Sequence, residues 1–423
     1  MSNLERRTRT CNRDRKPSSA TTVKGSKQIC IPMGPQHYEA IWHDPTAMRQ
    51  WLDRLIAESV ELFPPSIEHG YQLSGRLPES KKMPGIRLRQ IRTKSGVYSL
   101  RPSFVLSYMS GTVEQVDSGM LLLSVKTPYW VVTQVCGRND MFWHRQLERL
   151  GRNSLVGTSV PQAQRLPRDL VADEHHCDWV GEKGYVAFTV GGGCILGASL
   201  SAAADEAQLS DAYGVFAHEA RHLATGYAPE TVNTDGWTAT QNAFKRLFPS
   251  ITPILCFLHG FLKIRDRGRK LHELHEQIWE VYRAESKDAF IQAMSTFKQW
   301  FDEREWPLNV STTVEKLCSR VDQYALSYDH PGCHRTSNMV DRLMNRLTRY
   351  LYAGRGLHGH QSSSERRLRG WSLLNNFRPF APRSGLQRPF NSPAHRLNQK
   401  QYHPHWLHNL QVCASCQGFR GRT

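Results

Sequence analysis

Three aspartates, far apart along the chain, occupy positions where predicted strands end and a predicted helix begins. Asp173 closes the run Asp169-Leu-Val-Ala-Asp173, and Asp235 closes Thr231-Val-Asn-Thr-Asp235 just before a helical stretch. Asp341 lies at the start of an amphipathic helix. Mg²⁺ is bound by a few carboxylates plus water and phosphate oxygens, and two such ions can hold the attacking and leaving oxygens of a phosphodiester substitution. The sequence therefore predicts a metal site formed by Asp173, Asp235 and Asp341.

The elements around the first two aspartates follow an order typical of an α/β fold. Alternating and continuous apolar runs, separated by glycine-containing turns, predict the strands, and longer periodic runs predict the helices. The expected order is three strands, a helix, a strand, a helix and a strand, over residues 170–173, 185–190, 194–200, 203–224, 231–235, 236–247 and 251–258. Residues 265–330 are predicted to be helical and to separate the last strand from the Asp341 helix.

Four short segments carry a resemblance to a known class of enzymes. They are Ala172-Asp173-Glu174, Val232-Asn-Thr-Asp235-Gly-Trp237, Cys256-x-x-His259 and Thr336-Ser-Asn-Met-Val-Asp341. In this order, and followed by residues 359–379, they resemble transposases of prokaryotic insertion sequences in the Mutator-like branch of the DDE superfamily. The resemblance covers roughly residues 165–380. It implies an RNase H-like (integrase-type) α/β catalytic domain that contains a helical insertion.

The resemblance also implies the domain order and the roles of individual residues. Residues 161–264 and 331–380 would form the catalytic domain around the insertion 265–330, after a mainly helical DNA-binding domain over 31–160. Asp173, Asp235 and Asp341 would be catalytic and metal-binding, and Cys256 and His259 would support the site. Most of these enzymes have Glu where this chain has Asp341. Glu365, the nearest Glu downstream, is therefore the alternative third acid.

The function that the resemblance implies is DNA transposition. The enzyme would cleave phosphodiester bonds at element ends and join the freed 3′-OH to target DNA, using two Mg²⁺ ions or Mn²⁺ as a substitute. Its expected partners are the terminal repeats, the target DNA and further copies of the chain in the strand-transfer complex. The presence of Asp341 where most of these enzymes have Glu leaves open an alternative, a catalytically inactive DNA-binding protein derived from a transposase.

The charge of the chain agrees with a polyanionic partner. Lys and Arg total 55 against 38 Asp and Glu, a net charge of +17, and such an excess favours nucleic acid. Residues 1–30 contain eight basic residues and are expected to be a disordered basic arm. No acidic residue follows Glu365, and residues 381–423 are expected to be a basic, flexible tail.

A helix-turn-helix is predicted over residues 127–151. A first helix opens after Thr127-Pro128, Gly137 permits a turn, and Asn139 caps a second helix. Arg145 and Arg149 on the second helix would contact DNA bases in the major groove, although any helical hairpin shows this pattern. On the Asp341 helix, Arg342 and Arg346 recur with Arg349 at helical spacing, so they form either a phosphate track or a solvated face.

One motif favours a different function. His218-Glu219-Ala-Arg-His222 matches the H-E-x-x-H pattern of zinc metalloproteases, in which two His bind zinc and Glu acts as the base. The next residues do not supply a recognisable third ligand, so this alternative ranks below the transposase. The chain also has no signal-peptide pattern and no apolar run long enough for a membrane span. The expected location is the cytoplasm, in association with the nucleoid and not with a membrane.

Overall fold

The computed structural model describes residues 28–125, 127–354, 356–384 and 389–415. Within them the chain forms a mixed α/β fold with two β-sheets, so the predicted α/β class is confirmed. The basic arm lies outside the described residues except for positions 28–30, which belong to the first strand. No helix of the described part is long and apolar enough to cross a membrane.

The N-terminal region is mainly helical by residue count, as predicted, but it also contains a four-stranded sheet that was not predicted. Its strands run in the order β1-β4-β3-β2, with β1 parallel to β4 and the other pairs antiparallel. The strands β1 and β2 are short, and β1 pairs with a distant part of the chain, so local patterns do not reveal them. The elements are β1 (Gln28–Ile31), α1 (Pro35–Ile41), α2 (Pro45–Glu58), β2 (Gln72–Arg76), β3 (Arg89–Thr93) and β4 (Gly96–Pro102).

Four helices follow, and they share a hydrophobic core with the second sheet. They are α3 (Asp117–Ser124), α4 (Tyr129–Cys136), α5 (Asp140–Leu150) and α6 (Leu155–Ser159). Trp143 and Leu147 of α5 are fully buried in the same cluster as Val171 and Phe188 of that sheet. The residues of β1 to β4 belong to a separate cluster. The predicted domain boundary near residue 160 therefore does not coincide with a boundary between cores.

The second sheet has five strands and contains the predicted element order. Its strands are arranged β7-β6-β5-β8-β9, with β5, β8 and β9 parallel and β6 antiparallel to both of its neighbours. Three strands, a helix, a strand, a helix and a strand follow one another as expected. They are β5 (Asp169–Trp179), β6 (Glu182–Gly191), β7 (Cys194–Ser201), α7 (Glu206–Leu223), β8 (Thr231–Thr234), α8 (Thr238–Leu247) and β9 (Thr252–Leu255).

The predicted helical insertion is present and has its own core, which includes Phe261, Ile278, Phe297 and Val314. It begins earlier than expected, because the strand predicted to reach Leu258 ends at Leu255. A short apolar run does not distinguish a strand from a buried helix. The helices are α9 (Phe257–Arg267), α10 (His272–Tyr282), α11 (Lys287–Asp302), α12 (Leu308–Cys318) and α13 (Val321–Ala325).

The last four helices return to the main core. They are α14 (Asn338–Ala353), α15 (Gln361–Phe377), α16 (Pro393–Asn398) and α17 (Trp406–Cys413). The apolar stripe predicted for α14 is buried. The α15 helix lies between β7 and α5, where the Asn376 amide bonds both backbone groups of Ile195, and Gly370 lets the helix approach the Leu147 carbonyl.

The prediction of a flexible C-terminal tail was wrong for residues 389–415. Leu407 and Leu410 of α17 are buried in the main core, and Val412 packs into the N-terminal cluster. The backbone N–H of Cys30 donates to Ser415 Oγ at 2.7 Å, which ties β1 to this segment. The two helices of this segment, α16 and α17, have only six and eight residues, too few for a periodic pattern to be recognised among the Pro, Arg and His.

Candidate metal centre

The register of two parallel strands places Asp173 and Asp235 at one edge of the five-stranded sheet. In β5 and β8, Val171 pairs with Asn233, and Asp173 and Asp235 each follow two residues later. The two strands run in the same direction, so the two carboxylates lie side by side just beyond the last residue pair of β5 and β8. Asp235 is half-buried, and its Oδ1 accepts a hydrogen bond from the Trp237 N–H at 2.8 Å.

Two helices bring further ligand-type groups to Asp173. Asp341 comes from the first turn of α14, and His259 comes from the first turn of α9. One potential ligand atom from each of Asp173, His259 and Asp341 lies within 4.8 Å of the other two, and all three residues are half-buried. In the described part of the chain this is the one group of three or more such residues, and Asp235 is outside it.

Ser337 links α9 and α14, the two helices that contribute His259 and Asp341 to this group. It was not predicted as a site residue from the sequence. Its hydroxyl donates to Asp341 Oδ2 at 3.0 Å and lies 3.3 Å from His259 Nδ1. Its backbone N–H donates to Cys256 Sγ at 3.2 Å. Ser337 is 1% exposed. Cys256, predicted to support the site, therefore holds Ser337 in place, and Ser337 orients His259 and Asp341.

The electrostatics of the group are those of a cation site. Burial, together with the negative charges of Glu174 and Asp235, raises the pKa of Asp173 to about 7, although His259 partly offsets this. Burial lowers the pKa of His259, but Cys256, Asp173 and Asp341 more than compensate and raise it to about 9. Carboxylates crowded in a partly buried site favour a bound positive charge.

The donor set fits a divalent metal ion. Carboxylate oxygens from Asp173 and Asp341 suit Mg²⁺ and Mn²⁺. An imidazole nitrogen, once deprotonated, suits Mn²⁺ better than Mg²⁺. The Asp235 carboxylate lies near Asp173 but is not a member of this group. The residues present can therefore hold the expected cofactor, with His259 either as a ligand or as a positive group beside the carboxylates.

Glu174 follows Asp173 on β5 and points to the opposite face of the sheet, since strand residues alternate. Tyr213 of α7 and Thr240 of α8 both donate to Glu174 Oε1, at 2.5 and 2.7 Å. Burial raises the pKa of Glu174, and these hydrogen bonds oppose the rise. The strand predicted over residues 170–173 is longer than expected, because β5 continues to Trp179, and Glu174 therefore lies within it.

Glu365, the alternative third acid, lies elsewhere. Its Oε1 accepts a hydrogen bond from the backbone N–H of Leu200 at 3.2 Å and another from the Gln361 amide at 3.1 Å. Leu200 is on β7, and β6 separates β7 from the strand of Asp173. Glu365 is not a member of the group around Asp173. Asp341 is therefore the better placed of the two acids.

The H-E-x-x-H residues lie on α7 and do not form a metal site with a third described ligand. His218 and His222 are exposed. Glu219 turns inward, where it accepts hydrogen bonds from the backbone N–H groups of Leu155 and Val156 at 2.7 and 3.0 Å and forms an ion pair with Arg369. These contacts cap α6, so Glu219 is not placed to act as a base.

The predicted helix pair is present as α4 and α5, and the turn contains Gly137 at φ 72°. On α5, Arg145 is exposed and Arg149 is half-buried. On α14, Arg342, Arg346 and Arg349 are exposed, and within the described residues none of them forms an ion pair. The α14 arginines thus present unneutralised positive charge on the helix that begins at the metal centre.

No protein-family model matches this chain, and no curated protein matches it. The resemblance to transposases therefore rests on the short segments of the sequence and has no support from whole-chain similarity.

Proposed function

We propose that this protein is a DNA transposase with an RNase H-like catalytic domain, which cleaves and transfers DNA strands with divalent metal ions. The observation that carries the proposal is the meeting of Asp173 and Asp341 within 4.8 Å, at the sheet edge where β8 delivers Asp235. The order of the five-stranded sheet supports it, because two parallel neighbours carry the first two carboxylates and a later helix carries the third.

In the proposed mechanism the chain holds the ions, orients the ligands and binds the DNA backbone. When bound, divalent cations supply activation of the attacking hydroxyl and stabilisation of the leaving 3′ oxygen. Asp173, Asp235 and Asp341 provide the anionic ligands, and Ser337 fixes the Asp341 carboxylate through its hydrogen bond. The burial of the group limits competing water, which strengthens each electrostatic contact.

Positive charge near the site supports DNA as the substrate. Arg342 and Arg346 lie one turn apart on the exposed side of α14, starting one residue after Asp341. Phosphate contacts from such arginines position DNA without reading its sequence. The proposal includes the terminal repeats and target DNA as partners, a homo-oligomeric strand-transfer complex, and a cytoplasmic location at the nucleoid.

The zinc protease alternative is not proposed, because the contacts of Glu219 and the exposure of both histidines argue against it. An experiment distinguishes an active transposase from a catalytically inactive DNA-binding protein derived from one. Purified protein is incubated with Mg²⁺ and DNA that carries the sequences flanking its gene, and strand cleavage and DNA binding are measured in parallel.

Three single variants test the carboxylates: Asp173→Asn, Asp235→Asn and Asp341→Asn. Each should reduce cleavage by more than about a hundredfold while DNA binding persists, because a carboxamide is not an anionic ligand. The exposed Asp211 on α7 provides the matched control, and Asp211→Asn should cleave like the wild type. Cleavage at the wild-type rate by Asp173→Asn would refute the proposal. Binding without any cleavage by the wild type would identify the catalytically inactive DNA-binding protein.

A further inference from the structure

A cleft of about 630 Å³ lies between the N-terminal sheet and α5. One wall is the connection from β2 to β3, and the other is the turn before α5 and the first three turns of that helix. The volume is within the range of small-molecule binding sites, about 300–1,000 Å³. The β2–β3 connection contributes Lys82 and Met83 to the lining, and the other wall contributes Arg138, Phe142, Arg145 and Arg149.

The charge of the lining is entirely positive among the described residues. Lys82, Arg138, Arg145 and Arg149 line the cleft, and no acidic residue does. Within the described chain none of these four cations forms an ion pair. The N-terminus of α5, with its partial positive charge, opens on the same wall. A ligand that carries phosphate is therefore favoured here.

The cleft also contains a polar group in need of a partner. Gln146 is 8% exposed, and its amide nitrogen finds no acceptor among the described residues. A buried amide without a partner costs free energy, so such groups are usually satisfied by water or by a ligand. Gln146 lines the cleft. A ligand with a hydrogen-bond acceptor beyond its phosphate would suit it.

Flat and apolar surfaces complete the lining. Met83 and Phe142 line opposite walls, and the Arg138 guanidinium lies 5.4 Å from the centre of the Phe142 ring. Nearby, the Arg149 guanidinium lies 5.6 Å from the Tyr108 ring. Aromatic rings and arginine planes are the surfaces on which unpaired bases stack. The combination of phosphate-binding and base-stacking groups indicates a nucleotide.

The backbone at the rim of the cleft is strained. Tyr108, Met109 and Arg138 have φ values of 62°, 52° and 63°, although none of them is glycine. Such conformations are unfavourable for residues other than glycine and cluster at ligand-binding sites. Two of the three residues, Met109 and Arg138, line the cleft.

The surroundings of α5 limit how it can meet DNA. Ser363 of α15 donates to Glu148 at 2.6 Å, and Gly370 of α15 packs on the Leu147 carbonyl, so one side of α5 is covered. The β2–β3 connection stands beside the side that carries Arg145 and Arg149. A recognition helix lies in the major groove of a duplex. A cleft with walls on both sides instead fits an unpaired base that is flipped out of the duplex.

We propose that this cleft binds one unpaired nucleotide of a DNA strand. Arg138, Arg145 and Arg149 bind its phosphate, and Met83 and Phe142 contact its base, to which the Gln146 amide donates. The choice of DNA as the source of the nucleotide rests on the proposed function. The inference replaces major-groove reading by Arg145 and Arg149 with recognition of a strand end or an opened base pair.

The test measures binding of the full chain to a fluorescein-labelled oligodeoxynucleotide of about 12 nucleotides. Anisotropy is recorded at several salt concentrations in EDTA, so cleavage does not interfere. The double variant Arg145→Ala/Arg149→Ala should bind about tenfold more weakly at low salt, with a slope of log affinity against log salt that is shallower by about 1.4. Arg152→Ala/Arg269→Ala removes the same charge from exposed arginines outside the cleft, and it should bind like the wild type.

A second variant tests the base contact without changing charge. Gln146→Met keeps the side-chain length, so it should retain the salt slope while the affinities for deoxyadenylate, deoxycytidylate and thymidylate oligomers become more alike. Thermal unfolding verifies that the variant is folded. An unchanged spread of affinities in a folded Gln146→Met protein would overturn the base contact.

Three outcomes would overturn the assignment of the cleft. The Arg145→Ala/Arg149→Ala protein could bind like its charge-matched control, which would remove the cleft as a binding site. The Arg145→Ala/Arg149→Ala protein could lose as much affinity for a blunt duplex as for a single strand, which would indicate that these arginines contact the backbone of duplex DNA. Thymidine monophosphate could displace the oligonucleotide at micromolar concentration, which would indicate a free nucleotide as the ligand.

These results are independent of the proposed catalysis. If the cleft variants lose single-strand binding while the wild type does not cleave DNA with Mg²⁺, the cleft assignment stands and the proposed function fails. If Asp173→Asn abolishes cleavage while the cleft variants bind normally, the function stands and the cleft assignment fails.

Discussion

Two short motifs of this protein, Cys256-x-x-His259 and the H-E-x-x-H segment, contain residues of types that bind metals. Among the described residues, the first lies close to potential ligands from other elements and the second does not. His259 of Cys256-x-x-His259 approaches Asp173 and Asp341, whereas His218 and His222 of the H-E-x-x-H segment are exposed. The H-E-x-x-H segment matches a known metal signature more completely. The comparison teaches that the groups facing a motif determine its chemistry, more than the spacing of its own residues.

Topology explains the difference. The α9 helix begins directly after β9, at the edge where the parallel strands β5, β8 and β9 end, so its first turn reaches the carboxylates. The α7 helix ends just before β8 begins, and is therefore near the opposite edge. The hydrogen bond from Tyr227, after α7, to the carbonyl of Pro167, before β5, places that end of α7 there.

The largest expected difference comes from replacing the histidines of each motif by alanine. His259→Ala should reduce DNA cleavage by about a hundredfold, because it removes a nitrogen that lies within 4.8 Å of the oxygens of two proposed metal ligands. His218→Ala/His222→Ala should cleave within about twofold of the wild type and should contain no less zinc. Initial cleavage rates and metal analysis of both proteins provide the measurement. Equal losses in the two proteins would break the comparison.

A second prediction concerns the stability that the H-E-x-x-H helix provides. Glu219→Gln should lower the free energy of unfolding by about 3 kcal/mol, because Arg369, which is 3% exposed, loses its charge partner. Glu182→Gln, at an exposed position on β6, should change it by less than about 0.5 kcal/mol. Chemical denaturation followed by circular dichroism measures both. If Glu219→Gln were as stable as Glu182→Gln, the structural role of Glu219 would be wrong.

Much of the α/β framework around the site was predictable. Apolar runs and turns gave the seven elements from β5 to β9 in the correct order, and the stripe of Val340 and Leu347 identified the face of α14 that packs on the core. These features are local in sequence, so hydrophobic periodicity reports them. The proximity of Asp173 and Asp341 followed from the resemblance and the expected topology.

Other features depend on contacts between distant segments and were missed. The contacts of Ser337 depend on the packing of α14 against α9, and the sequence pattern predicted neither these contacts nor the extension of β5 that places Glu174 in the strand. The β1 strand pairs with β4 at Ser99 to Pro102, far along the chain. Local patterns carry no information about such partners, which explains why the N-terminal sheet and the order of the C-terminal segment were not predicted.

A smaller effect is expected from the residue that links the site helices. Ser337→Ala should reduce cleavage about tenfold, because the Asp341 carboxylate and His259 lose a hydrogen-bond partner while all proposed ligands remain. Ser362→Ala, at an exposed position of α15, is the matched control and should leave cleavage unchanged. A Ser337→Ala protein that cleaves at the wild-type rate would show that orientation by Ser337 does not contribute.

The most direct test of the central claim, that Asp173 binds a catalytic metal ion, is metal-dependent rescue of Asp173→Cys. A thiolate binds Mg²⁺ poorly and accepts softer ions more readily. Cleavage by Asp173→Cys should be nearly absent with Mg²⁺ and should return in part with Mn²⁺. The ratio of the Mn²⁺ rate to the Mg²⁺ rate should therefore rise by about tenfold or more over the wild-type ratio. The same ratio in both proteins, or full cleavage by Asp173→Cys with Mg²⁺, would contradict the account.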